Sequence, residues 1–393
     1  MPLGFFINRA LKIGGVQLVR TGSLEKVQAP RPVEPTETEE DVPEIATPEP
    51  SHSPGVFNID PMLVQMLPDL LLRPATARAR ISEALGVPLS QLKFLETDFA
   101  AIPCDIETIF SDPLGARCVE EYRRFQRLLE GFDPTPMGYA YADLLTHNFV
   151  DVYFRNSITR LYHLIGMLRS MGVCPGSSIL EVGSFYCYFA GPLQRLGYQV
   201  TAIDRYRQFG GALGSFVNDF CSSGGAVIET DENHEVEALR KLGKFDAVIS
   251  MAVVEHIPHT PREFLAALAS HVRPGGVLAI DTPNIARYFN RKALAEGRSI
   301  HQPIEYQFSS TIPFEGHHRE YTVDEVRWML EQTGCTDIRT ELFEHNLFQS
   351  ENMTKNIIDV LLEIGLDDSL CDIILAAGRV ASDSPNEHSP TPA

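Results

Sequence analysis

The chain has 393 residues, of which 44% are hydrophobic and 22% charged, a composition typical of a globular protein. Its formal net charge of -19 at pH 7 argues against a general binder of nucleic acids, because phosphate binding requires a basic surface. The seven cysteines form no CxxC pair and no regular spacing, so we expect reduced thiols and a cytoplasmic protein rather than a disulfide framework.

The two ends of the chain differ in composition from the rest. Residues 1–27 contain an apolar and basic stretch that is too interrupted to span a membrane, so we expect a short docked helix and no transmembrane segment, with a weak interfacial helix as the alternative. Residues 28–55 are rich in Pro, Glu and Thr and almost lack large apolar side chains, which predicts a disordered acidic linker. The tail, residues 381–393, receives the same prediction of disorder.

Residues 56–170 have apolar side chains at three- and four-residue spacing, which predicts a helical accessory region. The clearest helical patterns are at 62–72, 76–86, 117–132 and 157–172. We expect this region either to cover the acceptor site or to form a homodimer, and the pattern does not choose between them.

From Ser178 onward, short apolar strands alternate with helices. Strands buried on both faces and separated by helices predict a parallel, doubly wound, Rossmann-like α/β sheet, whose ligands bind at the carboxyl ends of the strands. Two late strands are consistent with a seven-stranded sheet that has an antiparallel strand at its edge, in a domain over residues 171–380. The predicted strands are 178–183, 199–206, 225–230, 245–254 and 275–283, followed by 336–345 and 371–380.

The stretch after the first of these strands has the glycine that begins a nucleotide-binding loop but lacks the later ones. A dinucleotide loop repeats glycine as GxGxxG so that its backbone can approach a pyrophosphate. Here Phe185 stands two residues after Gly183, which argues against a nicotinamide or flavin cofactor. A phosphate loop is excluded because no GxxxxGK[ST] occurs, and Ser215 does not fit the GxSxG pattern of a hydrolase.

A cofactor without a phosphate makes a smaller demand on this loop. It requires one close backbone approach, which Gly183 can supply, and a carboxylate that accepts hydrogen bonds from two ribose hydroxyls. Asp204, at the end of the second strand, lies about twenty residues after the glycine, as that geometry requires. A role for Asp204 as a helix N-cap is the alternative.

Several ordered blocks over residues 160–379 resemble class I S-adenosylmethionine-dependent methyltransferases, of the broad bacterial type that modifies small molecules and glycans. The family's first motif is similar to Glu181-Val182-Gly183-Ser184-Phe185-Tyr186-Cys187, in which Phe185 and Cys187 replace the usual glycines. The segment 244–257, ending in Glu255-His256, resembles the family's fourth strand. Segments 271–284, 316–335 and 371–380 resemble its fifth strand, a later helix and its last strand.

This resemblance implies a set of cofactor-binding residues. Gly183 and Ser184 are expected to contact the methionine part of S-adenosylmethionine, with Glu181 supporting that end. Asp204 is expected to bind the ribose hydroxyls, and Asp231 to bond the adenine amine. The alternatives are that Glu181 satisfies loop amides and that Asp231 belongs to an acidic turn.

Three histidines are candidates for catalysis. His256 stands at the predicted mouth of the fourth strand, and His317 and His318 precede a helix that Thr322 and Glu325 are predicted to start as a capping box. Histidine suits proton removal because its unperturbed pKa is near neutrality. Capping or loop-fixing roles are the alternatives. No metal site is predicted, since His256 and His259 have no carboxylate at a recognisable spacing.

The long segment 284–316 follows the fifth strand. Loops of this length in a compact domain are usually functional, so we expect a lid or an acceptor wall, with a purely structural excursion as the alternative. Aromatic and basic side chains on it are Tyr288, Tyr306, Phe308, Arg287, Arg291 and Lys292.

Together these features predict an enzyme that transfers a methyl group from S-adenosylmethionine to a small-molecule or glycan-linked acceptor, at an oxygen atom. The alternative is a catalytically silent protein that uses the same fold as a scaffold, with the lost glycines marking a decayed pocket. Binding of S-adenosylmethionine separates the two hypotheses.

Overall fold

A computed structural model describes residues 102–103, 106–137, 147–230, 242–258, 260–310, 314, 316–345, 352–353 and 367–381, together with isolated positions such as Leu72 and Ile364. The predicted helix at 1–27, the linker at 28–55, most of the segment 56–101 and the tail after Ala381 lie outside the described residues. The helices are α1 Ile106–Ile109, α2 Pro113–Leu129, α3 His147–Ser170, α4 Ala190–Arg195, α5 Gly214–Ser222, α6 Arg262–Ser270, α7 Tyr288–Ala295, α8 Ile304–Ser309 and α9 Val323–Gln332.

Seven of the strands form one mixed sheet. Their order is β4-β3-β2-β5-β6-β9-β7, in which the first five run parallel and β9 pairs antiparallel with both β6 and β7. The strands are β2 Ser178–Val182, β3 Gln199–Asp204, β4 Ala226–Glu229, β5 Phe245–Met251, β6 Val272–Pro283, β7 Cys335–Phe343 and β9 Ile373–Val380. A separate two-residue pair joins β1, Ile102–Pro103, to β8, Asn352–Met353.

The predicted Rossmann-like sheet is confirmed, and each of its seven predicted strands is present. The strand that reverses direction, β9, lies between β6 and the edge strand β7. Strand β6 begins at Val272, three residues before the predicted start at residue 275. It begins earlier because Val272 pairs with Phe245 of β5, and the register between the two strands then shifts before Ala247.

The sheet has a separate apolar layer on each face. Alternate residues of β5 belong to different layers: Ala247 and Ile249 pack on the face covered by α2 and α3, whereas Val248 packs on the face covered by α6 and α9. This period-two alternation follows from strand geometry. The described helices before residue 171 therefore share their core with one face of the sheet.

Two of the helices begin with side-chain caps. Asp112 accepts a hydrogen bond from the Gly115 N–H at 2.7 Å, and Pro113 follows it at the first helical position of α2. At α9 the predicted capping box is present: the Thr322 hydroxyl accepts from the Glu325 N–H at 3.3 Å, and the Glu325 carboxylate accepts from the Thr322 N–H at 2.9 Å.

The segment after β6 folds into the short helices α7 and α8. It returns to the sheet where Asn284 forms a bridge with Tyr321. Among the described residues, no helix combines the length and the apolar character that crossing a membrane requires.

The capping box gives a test of how α9 is held. We expect Thr322→Ala to lower the free energy of unfolding by about 1 kcal/mol, because the N–H of Glu325 loses its acceptor. Thr322→Ser keeps the hydroxyl and should remain within about 0.5 kcal/mol of the wild type in urea unfolding. Equal losses for the two variants would contradict this role of the hydroxyl.

Candidate functional site

The carboxyl ends of β2, β3 and β5 meet at one edge of the sheet, as parallel pairing requires. The loop after β2 begins at Gly183, whose N–H donates to the carbonyl of Ile203 in β3 at 3.0 Å. On its other side, Gly183 touches the turn after β5: a Cβ added there would lie 2.4 Å from Cγ2 of Val253. Glycine is therefore required at position 183 both by this contact and by its φ of 80°.

The loop keeps the backbone shape of a glycine-rich loop although its side chains differ. Phe185 has a φ of 43° and Cys187 a φ of 54°, both in the left-handed region that favours glycine. These are the two positions where the resemblance leads one to expect glycine. A left-handed backbone at such residues is uncommon and persists only where surrounding contacts fix it.

Those surrounding contacts come from the segment after β3. The ring of Phe185 packs at 4.8 Å from that of Phe209, and Cys187 is buried with its Sγ 3.4 Å from the hydroxyl of Tyr206. The same Tyr206 hydroxyl is hydrogen bonded to the hydroxyl of Ser184, which is itself buried. The two side chains that replace glycine thus pack against residues 206–209.

Glu181, at the end of β2, is fully buried. Neither of its carboxylate oxygens has a hydrogen-bond partner among the described residues, and burial raises its pKa well above the usual range. The backbone N–H of Ala190, which faces the carboxyl without reaching normal hydrogen-bond geometry, opposes this rise in pKa, and the charge of Asp204 adds to it. A buried carboxyl without a donor is unfavourable unless a ligand satisfies it.

Asp204 ties the loop to the end of β3. Its Oδ2 accepts a hydrogen bond from the Phe185 N–H at 2.6 Å, and its Oδ1 accepts from the Arg205 N–H at 2.6 Å. A carboxylate oxygen has two lone pairs, so a carboxylate at this position suits ribose hydroxyls as well as backbone donors. The remaining predicted cofactor residue, Asp231, lies outside the described residues.

The turn after β5 brings together side chains that are far apart in the sequence. The rings of His256 and His317 lie 4.8 Å apart at nearly a right angle. The backbone explains this meeting, because the carbonyl of Glu255 accepts from the His318 N–H at 2.8 Å and so joins the turn to residues 317–320. The imidazole of His318 is exposed and its Nε2 bonds to the carbonyl of Phe314 at 2.9 Å. The structure thus brings together two of the three predicted catalytic histidines.

Two carboxylates, those of Glu255 and Glu320, lie next to this pair of histidines. Glu255 is 1% exposed, and its Oε2 accepts from the Thr282 hydroxyl at 3.1 Å. Burial raises the pKa of Glu255 to about 7, and the nearby charge of His317 opposes this rise. On the other side, Nδ1 of His317 is 3.0 Å from Oε1 of Glu320, and the guanidinium of Arg287 is 2.9 Å from Oε2 of the same carboxylate.

A buried ion pair lies next to the start of the turn that carries this cluster. Arg160 of α3 is 3.5 Å from Asp281 of β6, and both side chains are almost completely buried. The other oxygen of Asp281 accepts from the Ala252 N–H at 2.6 Å, at the start of the turn that leads to His256. Burial raises the pKa of Asp281, and the charge of Arg160 opposes the rise.

Sequence reasoning missed Arg160, Asp281 and the contact of Glu320 with His317. The first two carried a signal, because each is a charged residue inside an otherwise apolar helix or strand pattern. Glu320 carried none, since its role depends on the loop that places His317 beside it.

The chain is similar in sequence to methyltransferases. A family model described as "Methyltransferase domain" matches residues 123–340, more than half of the chain. The chain is similar to a ubiquinone biosynthesis O-methyltransferase of Xanthomonas campestris pv. campestris, with 34% identity over 113 residues that cover 28% of this chain and 44% of that protein. It is also similar to the ubiquinone biosynthesis O-methyltransferase of Rickettsia canadensis, with 31% identity over 135 residues that cover 34% of this chain and 50% of that protein. The chain thus spans about half the length of these curated relatives.

Among solved structures, the chain is similar to magnesium protoporphyrin IX methyltransferase from Synechocystis PCC 6803 with bound SAH. The identity is 16% and the TM-score 0.40, over 70% of this chain and 100% of that one. It is also similar to a SAM-dependent methyltransferase from Archaeoglobus fulgidus. The identity is 17% and the TM-score 0.36, over 56% of this chain and 94% of that one.

The strand order, the single-glycine loop and the acidic end of β3 define a class I methyltransferase fold. The chain belongs to the methyltransferase domain family, whose methyl donor is S-adenosylmethionine. The residues present fit this cofactor: the buried carboxyl of Glu181 suits an ammonium group, and Asp204 places a carboxylate, which accepts hydrogen bonds, at the end of β3.

The buried ion pair yields a prediction of stability. We expect Asp281→Asn to lower the free energy of unfolding by about 3 to 5 kcal/mol, because it leaves the guanidinium of Arg160 buried without a counter-charge. In an Arg160→Met background the same substitution should cost much less. Additive losses in this double-mutant cycle, followed by chemical denaturation, would show that the two charges do not interact.

Proposed function

We propose that this protein transfers the methyl group of S-adenosylmethionine to a hydroxyl oxygen of a small-molecule acceptor. The observation that carries the proposal is the fully buried carboxyl of Glu181, which stands two residues before Gly183 and whose oxygens form no hydrogen bond of normal geometry with the described residues. A ligand with both an ammonium group and ribose hydroxyls supplies donors from which the carboxylates of Glu181 and Asp204 can accept.

Each part of the cofactor has residues that suit it. Glu181 and the backbone of Gly183 and Ser184 would hold the methionine part, Asp204 the ribose, and Asp231 the adenine amine. When bound, the cofactor's sulfonium supplies an activated methyl group for in-line displacement, and the protein must hold the acceptor oxygen in line and exclude water.

The position of the histidine cluster supports a role in binding the acceptor hydroxyl. Val253 contacts Gly183 and His256 follows three residues later, so the turn that carries His256 lies directly against the cofactor loop. His256 and His317 would flank the acceptor oxygen, and its proton would leave at this cluster. His318, exposed and bonded to a backbone carbonyl, has no part in this arrangement.

The choice of oxygen as the acceptor atom has two supports. The curated relatives are named as O-methyltransferases of ubiquinone biosynthesis. A hydroxyl must lose a proton during transfer, and the paired imidazoles suit that step.

Residues 284–316 are suited to form one wall of the acceptor site. Arg287, at the start of this segment, is held by Glu320, which also contacts His317, so the segment is joined to the cluster. Farther along, Ile304 is 67% and Phe308 87% exposed, which leaves apolar surface for an acceptor to cover.

The cofactor assignment is tested by binding. We expect Asp204→Ala to weaken the binding of S-adenosylhomocysteine about 10- to 100-fold in isothermal titration, the loss expected for hydrogen bonds to a charged group. Asp246→Asn, at the opposite end of the sheet, is the matched control and should bind as the wild type does. If the wild type does not bind at millimolar cofactor, the chain is a catalytically silent scaffold.

The catalytic assignment is tested by turnover. Extracts of the source cell are incubated with the protein and S-adenosylmethionine carrying a labelled methyl group, and the labelled product identifies the acceptor. With that acceptor, we expect His256→Ala to lower kcat about 100-fold or more while the affinity for S-adenosylhomocysteine is kept. Full activity of this variant would refute a role for His256, whatever the result for Asp204.

A further inference from the structure

A carboxylate and two imidazoles converge at the turn after β5. Glu255, His256 and His317 each offer one ligand atom, and these three atoms all lie within 4.8 Å of one another. Sequence reasoning paired His256 with His259 and predicted no metal. The fold supplies a different partner, because the backbone bond from His318 to Glu255 brings His317 to the turn.

We propose that Glu255, His256 and His317 form a binding site for Zn²⁺ or a similar divalent transition-metal cation. Two histidines and one carboxylate are a ligand set that binds Zn²⁺ and leaves positions open for water or a substrate oxygen. The set is chemically distinct from the oxygen-only ligands that Mg²⁺ and Ca²⁺ prefer.

The distances between the three ligand atoms are slightly longer than those of a metal-bound site, so the ligands would move together when the ion binds. Metal–ligand bonds of about 2.1 Å place neighbouring ligand atoms roughly 3 to 4 Å apart. The observed spread of up to 4.8 Å is slightly wider. His256 is exposed on the surface of the turn, so rotation of its side chain brings the third ligand in without moving the buried Glu255.

The residues around the ligands have the arrangement that supports a metal. Nδ1 of His317 is held at 3.0 Å by Glu320, which fixes the ring and leaves Nε2 as the nitrogen for the ion. Arg287 pairs with the same Glu320 and holds it in place. Thr282, fully buried, donates to one oxygen of Glu255. The contacts from Glu320 and Thr282 orient two of the ligands, and Arg287 fixes Glu320.

The site bears on catalysis only if the proposed methyl transfer is correct. There, the cation would bind the acceptor oxygen and lower its pKa; with the cation bound, the two histidines would act as its ligands in place of accepting the proton, which would leave to solvent. The binding of the cation itself does not depend on that function.

The experiment measures metal binding by the full chain after removal of metals with a chelator. Zn²⁺ alone is titrated by calorimetry, and Co²⁺ alone by visible absorption, which reports its coordination. We expect one equivalent to bind with high affinity. His317→Ala and Glu255→Gln should weaken this binding at least 100-fold, and Glu320→Gln, which removes only the orienting carboxylate, about 10- to 100-fold.

His318→Ala is the matched control, because it removes an exposed imidazole next to His317 and should leave the affinity unchanged. Thermal unfolding and S-adenosylhomocysteine binding are measured for every variant, so that a misfolded chain or a missing cofactor site is recognised separately. If His256→Ala, His317→Ala and Glu255→Gln bind Zn²⁺ as the wild type does, the ion is held elsewhere and the proposed site is wrong.

Discussion

The contact between Gly183 and Val253 is the constraint on which the site depends. It lets the loop after β2 lie against the turn after β5, with no room for a side chain between them. On the loop's other side, Asp204 bonds the Phe185 N–H. The cofactor loop is therefore fixed between two neighbouring strand ends. Because the turn after β5 also carries Glu255 and His256, the same contact sets the distance between the cofactor loop and the histidine cluster.

Much of the fold follows from the sequence, because its signals are local or periodic. Apolar runs separated by helical patterns predicted the seven strands, and parallel pairing then required Glu181 and Asp204 to share one edge of the sheet. The capping box at Thr322 needed only four residues to be recognised. These predictions rest on interactions that a short stretch of chain determines by itself.

The rest depends on contacts that no short stretch of the sequence determines. Phe185 and Cys187 adopt the left-handed backbone of the glycines they replace, which the residue types argue against and only packing on residues 206–209 explains. The meeting of His256 with His317 depends on a backbone bond across 63 positions, from Glu255 to His318. Orientation of His317 by Glu320 is likewise visible only once that loop is folded.

The ion pair between Arg160 and Asp281 has a consequence for how the chain can be divided. Helix α3 supplies a cation to the centre of the sheet, and its apolar side chains form, with those of α2, the layer that covers one face of that sheet. A protein shortened to begin after this helix would leave a buried anion without its counter-charge and a broad apolar surface in contact with water. The helix and the strands are thus cooperative parts of one folding unit, even though the characteristic motifs of the family begin only at Glu181.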